Sequence, residues 1–293
     1  MSPALTAQAD PATGAPDPAI HPRGVLYKVS SGSHVLYLFG TIHVGNSDFY
    51  PLEPRLMAVL DKATTLALEL DPFNAGAMQS ALQRYGMYPA GQSYANDLDP
   101  RTRQQLQSLL KHYGIPASSV ATMRPWMLAT VVTLGESAAQ GYTSDFAVDS
   151  YLASWSKQRG KKIIELESAD RQLALLGNLS PAQQLRFLRD TMDELNSADG
   201  RRQIREIVQA WNLSDRPMME RLLQEMTLDP GYASQFTRKV LLDQRNPGLA
   251  EGIAALLRKE SNSVAAIGVL HLIGDGNVAL RLQQQGYAVE QIY

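Results

Sequence analysis

The 293-residue chain contains no cysteine, which excludes disulfide bonds and thiolate metal ligands. It also lacks a strong charge excess, because 27 Lys and Arg residues stand against 29 Asp and Glu residues. No dense basic stripe with interleaved aromatic residues occurs, so no nucleic acid is expected as a partner. No apolar run approaches membrane-spanning length, so no membrane span is expected. With 44% hydrophobic residues, the composition is typical of a soluble globular protein.

The first 23 residues differ in composition from the rest of the chain. They hold five of the sixteen prolines and show no apolar periodicity. Such a segment buries too little apolar surface to offset the entropy cost of ordering. We therefore predict a mobile leader over residues 1–23 and a single domain over residues 24–293. The leader has neither the basic start nor the continuous apolar segment of a signal peptide.

Strand patterns lie at both ends of the chain and helical patterns in the middle. Two β-rich runs, Val25–Val29 and His34–Phe39, predict a hairpin. Further short strands are predicted before Asp71-Pro72 and over Lys161–Ser168, and the last 30 residues repeat the order strand, turn, helix, strand. Helical periodicity fills about 73–160 and 168–260. The sequence thus predicts an α/β (α+β) fold, with a central mixed sheet built from the terminal segments, covered by helices and carrying a large helical insertion.

Two related motifs each place a histidine after a predicted strand. The first is GTIH, ending at His43, and the second is GVLH, ending at His271. A small, polar, glycine-bearing loop follows each histidine, as is typical of loops that form sites at a sheet edge. Glycine at the first position permits a positive φ or the close approach of another group. A structural histidine that caps a turn explains either ring alone, whereas the pair favours a functional site.

Two glutamates share this placement at strand ends. Glu69 follows an apolar strand, and Glu167 follows another next to Glu165. Burying a carboxylate is costly unless it is hydrogen-bonded, paired or bound to a metal. The histidines and glutamates could therefore hold a divalent ion that activates water, or one histidine could act as a general base oriented by Glu69. Each glutamate could instead have no functional role: Glu69 could be the polar residue at which its strand ends, and Glu167 could lie on a solvent-exposed face of its strand.

Glu167 and four further residues are candidates for substrate binding or support of the site. Asp149 lies where a helix starts, which is the commoner role for such a residue. Arg245 and Asn246 stand before a proline, where they either end and cap a helix or clamp an anionic group. Arg124 lies in the block MRPWM, which is more typical of packing at a helix start than of substrate binding.

The ordered blocks YLFGTIHVGN, LALELDP, MRPW, DQRNPGLAEGIAALL and AAIGVLHLIGDGN resemble those of the TraB/GumN family. The resemblance covers about Val25 to Tyr293. The family includes the TIKI proteases and is related to erythromycin-esterase-like and ChaN-like proteins, which share an α/β core with a His/Glu site at the sheet edge. One departure is Ala147, where the family commonly has glycine, and this makes a role for Asp149 less secure.

By this resemblance, His43 and His271 match the two motif histidines and Glu69 the carboxylate between them. Arg245 and Asn246 match the family's Arg-Asn pair, and Arg124 matches its Arg-Pro-Trp block. TIKI-like relatives imply a metal-dependent protease that uses Mn or Co, with Zn or Fe as further options. The esterase-like relatives imply hydrolysis by His and Glu without an obligatory metal.

The resulting hypothesis is a hydrolase, of the metal-dependent peptidase or amidase type, with His43, Glu69 and His271 as catalytic residues and metal ligands. Its substrate would be a peptide or another small polar molecule. The rival hypotheses are a metal-free hydrolase and a regulatory protein that binds a peptide or polysaccharide without cutting it. Family resemblance implies a periplasmic or secreted protein, although the sequence also admits a cytoplasmic one, and nothing in it specifies an oligomeric state.

Overall fold

The computed structural model describes residues 21–293. The first twenty residues of the predicted leader lie outside the described residues. Arg23, at the end of the predicted leader, is buried. Its guanidinium donates hydrogen bonds to the side chain of Asn212 at 2.7 Å and to the backbone carbonyl of Asp48 at 3.0 Å. The packed structure therefore begins no later than Arg23.

The predicted α/β fold with a mixed sheet is confirmed. The described residues form one six-stranded sheet in the order β4-β3-β5-β2-β1-β6. Its strands are β1 Leu26–Ser31, β2 His34–Thr41, β3 Thr65–Leu68, β4 Lys162–Glu165, β5 Asn262–Gly268 and β6 Ala288–Gln291. The N-terminal hairpin and the C-terminal segment thus share a single sheet, as predicted.

Four neighbouring strands of this sheet, β4, β3, β5 and β2, are parallel. Their carboxyl ends therefore meet at one edge, where loops from distant parts of the chain gather. The remaining strands β1 and β6 are antiparallel to their neighbours and extend the sheet on the far side. Gly32 lies in the β1–β2 turn with φ +58°, a conformation that favours glycine.

Helices fill the two predicted helical stretches, one further helix lies between β2 and β3, and another lies between β5 and β6. They are α1 Pro54–Lys62, α2 Ala75–Ala81, α3 Tyr94–Asp97, α4 Pro100–His112, α5 Pro125–Ala139, α6 Val148–Gln158, α7 Ala169–Gly177, α8 Pro181–Asn196, α9 Ala198–Asn212, α10 Arg216–Leu228, α11 Tyr232–Phe236, α12 Asn246–Lys259 and α13 Val278–Gln284. The Asp99 side chain caps α4, and Ser180 forms a capping box with Gln183 at the start of α8. Within residues 21–293, no helix is both long enough and apolar enough to cross a bilayer.

The buried side chains form two hydrophobic clusters. The larger one covers the sheet and includes α12 and the fully buried Trp211. A smaller cluster joins α3, α4, α5 and α8 through residues such as Leu106, Val132 and Leu188. The helices between β3 and β5 therefore pack partly on the sheet and partly on one another.

Trp211 fastens the end of α9 to the sheet beside the first histidine motif. Its Nε1–H donates to the Gly40 carbonyl at 2.8 Å, and its ring packs against Phe39 and Phe49. The Trp211 carbonyl in turn accepts the Gly24 N–H at 2.7 Å. The indole therefore combines apolar burial with a hydrogen bond to the strand that carries His43.

We expect Trp211→Phe to lower the free energy of unfolding by about 2 kcal/mol or more. The change removes the hydrogen bond to Gly40 and leaves a cavity where the larger ring packed. Urea unfolding followed by circular dichroism measures the effect. The matched control is Trp155→Phe, because the Trp155 ring is only half-buried and lies under the Arg159 guanidinium. Equal losses in the two variants would contradict this role of Trp211.

Candidate active site

Each of the four parallel strands delivers a predicted site residue to the same edge of the sheet. His43 follows the end of β2, Glu69 directly follows β3, Glu167 follows β4, and His271 lies shortly after β5. Because parallel strands end together, residues far apart in sequence become neighbours here. The structure thus brings both motif histidines and both singled-out glutamates into one region.

Glu69 lies at the centre of this group. Its Oε1 accepts the Gly268 N–H at 2.6 Å, and its Oε2 accepts from the Arg245 guanidinium and from Gln172 Nε2 at 3.2 Å. Both carboxylate oxygens are therefore hydrogen-bonded, as a buried carboxylate requires. The three donors hold the group firmly between β3, β5 and the start of α12.

The ionised form of Glu69 is strongly favoured. Burial alone would raise its pKa, but the positive charges of His271, Arg245 and His43, together with the Gly268 N–H, lower the pKa to about 2. Burial keeps His271 neutral at pH 7. At that pH, the positive charge that most favours ionised Glu69 is therefore that of Arg245. Glu69 is therefore a carboxylate throughout the neutral range.

Arg245 joins the ends of two neighbouring strands. Its Nη2 donates to Glu167 Oε2 at 2.6 Å as well as to Glu69, and its Nε donates to Glu167 at 3.1 Å. Gln172, at the start of α7, donates to the same Glu167 oxygen at 2.7 Å. Arg245, which is itself held by Glu167, thus fixes the position of the Glu69 carboxylate.

The strand β4 ends at Glu165, so the two glutamates near it have different surroundings. The Glu165 side chain accepts the Asp71 N–H at 3.0 Å and steadies the loop after β3. Glu167 lies beyond the strand, and its side chain is only 4% exposed. Glu167 therefore does not lie on a solvent-exposed strand face, which was the structural alternative for this residue.

His271 is a buried, neutral imidazole with a defined tautomer. Asn246 Nδ2 donates to the Gly276 carbonyl at 3.1 Å, which leaves Asn246 Oδ1 to accept the His271 Nδ1–H at 2.6 Å. The Nε2 lone pair then faces Glu69 Oε1 at 4.0 Å. Burial lowers the pKa of His271 to about 4, despite the opposing charge of Glu69.

His43 is held in the opposite protonation state. Its Nδ1–H donates to Asp149 Oδ2 at 3.2 Å, while most of the ring is exposed to water. The surrounding protein would lower its pKa, but the Asp149 hydrogen bond and the charges of Asp149 and Glu69 raise the pKa to about 9. At neutral pH, His43 is therefore a cation and His271 is not.

The glycines of the two motifs are explained by close approach, since neither has a positive φ. A Cβ on Gly268 would lie 3.2 Å from Glu69 Oε1 and 3.8 Å from His43 Nε2, inside the space that the functional groups share. A Cβ on Gly40 would come within 3.0 Å of Val25 and Val269 side-chain atoms. Gly268 thus serves the site directly, whereas Gly40 permits tight packing beneath it.

The side chains of this site meet only part of what a divalent metal ion requires of its ligands. Both rings are hydrogen-bonded through Nδ1 and leave Nε2 for another partner, as metal-bound histidines usually do. However, both oxygens of Glu69 already accept hydrogen bonds, and one is paired with Arg245. Among residues 21–293, no three His, Asp or Glu side chains are grouped so that they could hold a metal. The site residues do not form a preformed three-ligand metal centre.

Arg124 occupies a different place from the other candidates. Its guanidinium donates to the backbone carbonyls of Met87 at 3.0 Å and Gly177 at 3.4 Å. It thereby ties the start of α5 to the segment after α2 and to the end of α7. Within the described residues, no hydrogen bond links Arg124 to the histidines or to Glu69.

A pocket of about 220 Å³ opens at this edge of the sheet. Its lining residues include His43, Glu69 and Asp149, and also Thr41 and Gln172. Neither Thr41 nor Gln172 was a predicted site residue. The signals for them were modest: Thr41 lies within the first histidine motif, and Gln172 lies in the first turn of the helix that follows β4.

Comparison with known proteins gives one family and two relatives. The sequence profile of the TraB/PrgY/gumN family matches residues 25–291. The chain is 29% identical over 252 residues to Uncharacterized protein YbaP of Escherichia coli (strain K12), which covers 86% of this chain and 89% of that protein. The protein of the same name from Shigella flexneri has the same identity and coverage. No solved structure matches significantly.

We expect Asp149→Asn to lower the pKa of His43 substantially from about 9, because the hydrogen bond and charge that favour the imidazolium are lost. NMR titration of the imidazole signals in both proteins measures this change. Asp145→Asn removes an exposed carboxylate from the same segment and serves as the control. A His43 titration curve that is the same in Asp149→Asn and in the wild type would contradict the described pairing.

Proposed function

The chain belongs to the TraB/PrgY/gumN family, and from the geometry of its site we propose that it is a hydrolase. In this proposal, His43, Glu69 and His271 direct a water molecule against an amide bond of a peptide or a similar small polar substrate. Asn246 and Asp149 orient the two rings, and Arg245 with Glu167 fixes the carboxylate. This corresponds to the metal-free type of His/Glu hydrolysis.

The observation that carries the proposal is the meeting of one exposed and one buried histidine with a buried carboxylate at a single sheet edge, where His271 Nε2 lies 4.0 Å from Glu69 Oε1. The pKa of His43 lies at about 9 and that of His271 at about 4, while Glu69 is ionised. Titratable groups whose environments separate their pKa values in this way are typical of acid and base partners in hydrolysis. His271 is then the proton acceptor and His43 the proton donor.

The proposed position of the attacking water is between His271 and Glu69. Their Nε2 and Oε1 atoms lie 4.0 Å apart, too far for a direct hydrogen bond. A water molecule with hydrogen bonds of about 2.8 Å to both atoms fits this separation. Two acceptors on one water draw its protons away from the oxygen that attacks the substrate carbonyl, and they compensate for the weak basicity of each group alone.

His43 would complete the reaction from the mouth of the pocket. Its imidazolium can stabilise negative charge that develops on the attacked carbonyl oxygen and then donate a proton to the departing amine. Asp149 keeps the ring charged and sets its direction through Nδ1. Without Asp149, the ring would more readily lose the proton that it is to donate.

A metal-dependent peptidase that uses Mn, Co, Zn or Fe is the second candidate. It is favoured by the tethered Nδ1 atoms of both rings, which leave Nε2 for a ligand. It is disfavoured by the pairing of Glu69 with Arg245. Comparing the wild-type protein after chelation with the same protein given Mn or Co separates the two candidates.

We expect the purified protein to hydrolyse members of a peptide and amide library. His43→Ala and His271→Ala should each lower kcat/KM by about 100-fold or more, the scale of general acid–base catalysis. Glu69→Gln should cause a similar loss, because the neutral amide no longer favours the bridging water. Product release by mass spectrometry measures the rates, and circular dichroism checks that each variant folds.

His112→Ala is the matched control, because this histidine lies exposed at the end of α4. Undiminished rates after chelation support the metal-free candidate, and rates that require Mn or Co support the second. If the wild-type protein binds peptides or polysaccharides but cleaves no substrate with or without these metals, the regulatory binding hypothesis replaces both.

We also expect kcat/KM to depend on pH with two limbs. Activity should rise as pH increases through about 4, where His271 loses its proton, while Glu69 is already ionised. It should fall as pH increases through about 9, where His43 loses the proton that it donates. Asp149→Asn should move the alkaline limb to lower pH. An alkaline limb that Asp149→Asn leaves in place would contradict the role of His43 as the acid.

A further inference from the structure

The pocket at the sheet edge has an excess of acidic residues in its lining. Three of the lining residues are carboxylates, namely Glu69, Asp71 and Asp149. His43, the cationic residue of the lining, is paired with Asp149. Glu69 is paired with Arg245, whereas no ion pair of the described residues includes Asp71. The pocket therefore retains one carboxylate whose charge has no partner.

Hydrogen bonds orient Asp71 in the loop after β3. Its backbone N–H donates to Glu165 Oε1 at 3.0 Å, and its Oδ1 accepts the Phe73 N–H at 2.9 Å. Its Oδ2 has no hydrogen-bond partner within the described part of the chain and is accessible to solvent. Lys157 approaches the same loop, but its Nζ lies over the Phe73 ring, 4.0 Å from the ring centre. Asp71 thus presents a carboxylate oxygen that can accept a hydrogen bond from a ligand.

Gln172 supplies a second free acceptor, because its amide group can point in only one direction. Its Nε2 donates to Glu69 at 3.2 Å and to Glu167 at 2.7 Å. The reversed amide would place Oε1 against two carboxylates, which accept hydrogen bonds and cannot donate them. Oε1 therefore lies at the other end of the amide, where it has no partner among residues 21–293 and is accessible to solvent.

The two free oxygens restrict the chemistry of a ligand that contacts them. Both are acceptors, so the ligand must present hydrogen-bond donors. A primary ammonium group carries three N–H donors and also the positive charge that Asp71 lacks as a partner. Its hydrogen bonds to a carboxylate are charge-assisted and therefore stronger than those of a neutral donor. A hydroxyl group supplies one donor and no charge, and a carboxylate is repelled.

We propose that the pocket binds the primary ammonium group of a small amide, with its N–H groups donating to Asp71 Oδ2 and Gln172 Oε1. Asp71 follows Glu69 by two residues, so their Cα atoms are at most about 7 Å apart. A short aliphatic chain spans this distance between the ammonium group and the amide. The inference rests on the proposed function, because it names the substrate class for the same site. It adds Asp71 as the residue that selects for charge.

The test compares three acetamides that differ only in the group that ends a butyl chain. They are N-(4-aminobutyl)acetamide, N-(4-hydroxybutyl)acetamide and 5-acetamidopentanoate. NMR titration of the full-length protein at neutral pH and low salt measures the dissociation constants. We expect the aminobutyl compound to bind about tenfold more tightly than the hydroxybutyl compound, the scale of one charge-assisted hydrogen bond, and the pentanoate to bind most weakly. Because the preference is electrostatic, added salt should reduce it.

Asp71→Asn removes the charge and keeps an oxygen that can accept the Phe73 N–H. We expect this variant to bind the aminobutyl and hydroxybutyl compounds about equally. Asp61→Asn is the matched control, because Asp61 is an exposed carboxylate in α1 that does not line the pocket. Circular dichroism checks the fold of each variant.

Three results would overturn the inference. The first is equal binding of the aminobutyl and hydroxybutyl compounds by the wild-type protein. The second is a preference for the aminobutyl compound that Asp71→Asn leaves unchanged. The third is binding of the pentanoate as tight as that of the aminobutyl compound.

This inference and the proposed hydrolase fail in different ways. Preferential binding of the aminobutyl compound without cleavage of any amide would reject the hydrolase and retain the ammonium site. Cleavage of the aminobutyl and hydroxybutyl compounds with equal kcat/KM would retain the hydrolase and reject the ammonium site.

Discussion

The ion pairs of Arg245 with Glu69 and Glu167 hold the candidate active site together. The three side chains are 12%, 10% and 4% exposed, so two carboxylates and one guanidinium lie together with little contact with solvent. Removing one partner from such a group leaves an uncompensated buried charge, which is strongly destabilising. Hydrogen bonds from Gly268 and Gln172 compensate the carboxylate charge that Arg245 leaves unpaired.

The two histidines beside this pairing differ in charge. His43 is protonated chiefly because Asp149 hydrogen-bonds to it, and the Glu69 carboxylate adds a smaller attraction. His271 lies deeper, and burial beside Asn246 outweighs the attraction of Glu69. Similar motifs thus place the same side chain in two electrostatic environments. The difference arises from depth and partner, because both rings follow a Gly-x-x-His turn at a strand end.

Much of the fold was predictable from local patterns. The hairpin, the strand before Asp71, the cap of α4 at Asp99 and the capping box at Ser180 all follow short-range rules of turns, alternation and capping. The pairing of β2 with β5 and of β3 with both β5 and β4 was not predictable in this detail, because it joins segments more than 90 residues apart. The helical cluster beside the sheet likewise depends on contacts between distant helices.

The sequence by itself determined which residues are chemically suited to a site: two Gly-x-x-His turns, two glutamates at strand ends and an Arg-Asn pair. Only the tertiary structure decided their contacts and surroundings. It paired Arg245 with both glutamates, attached Asn246 to His271 and Asp149 to His43, and placed Arg124 away from them. The physical reason is that charge state and hydrogen bonding depend on burial and on neighbours in space, and parallel strands create those neighbours from distant parts of the chain.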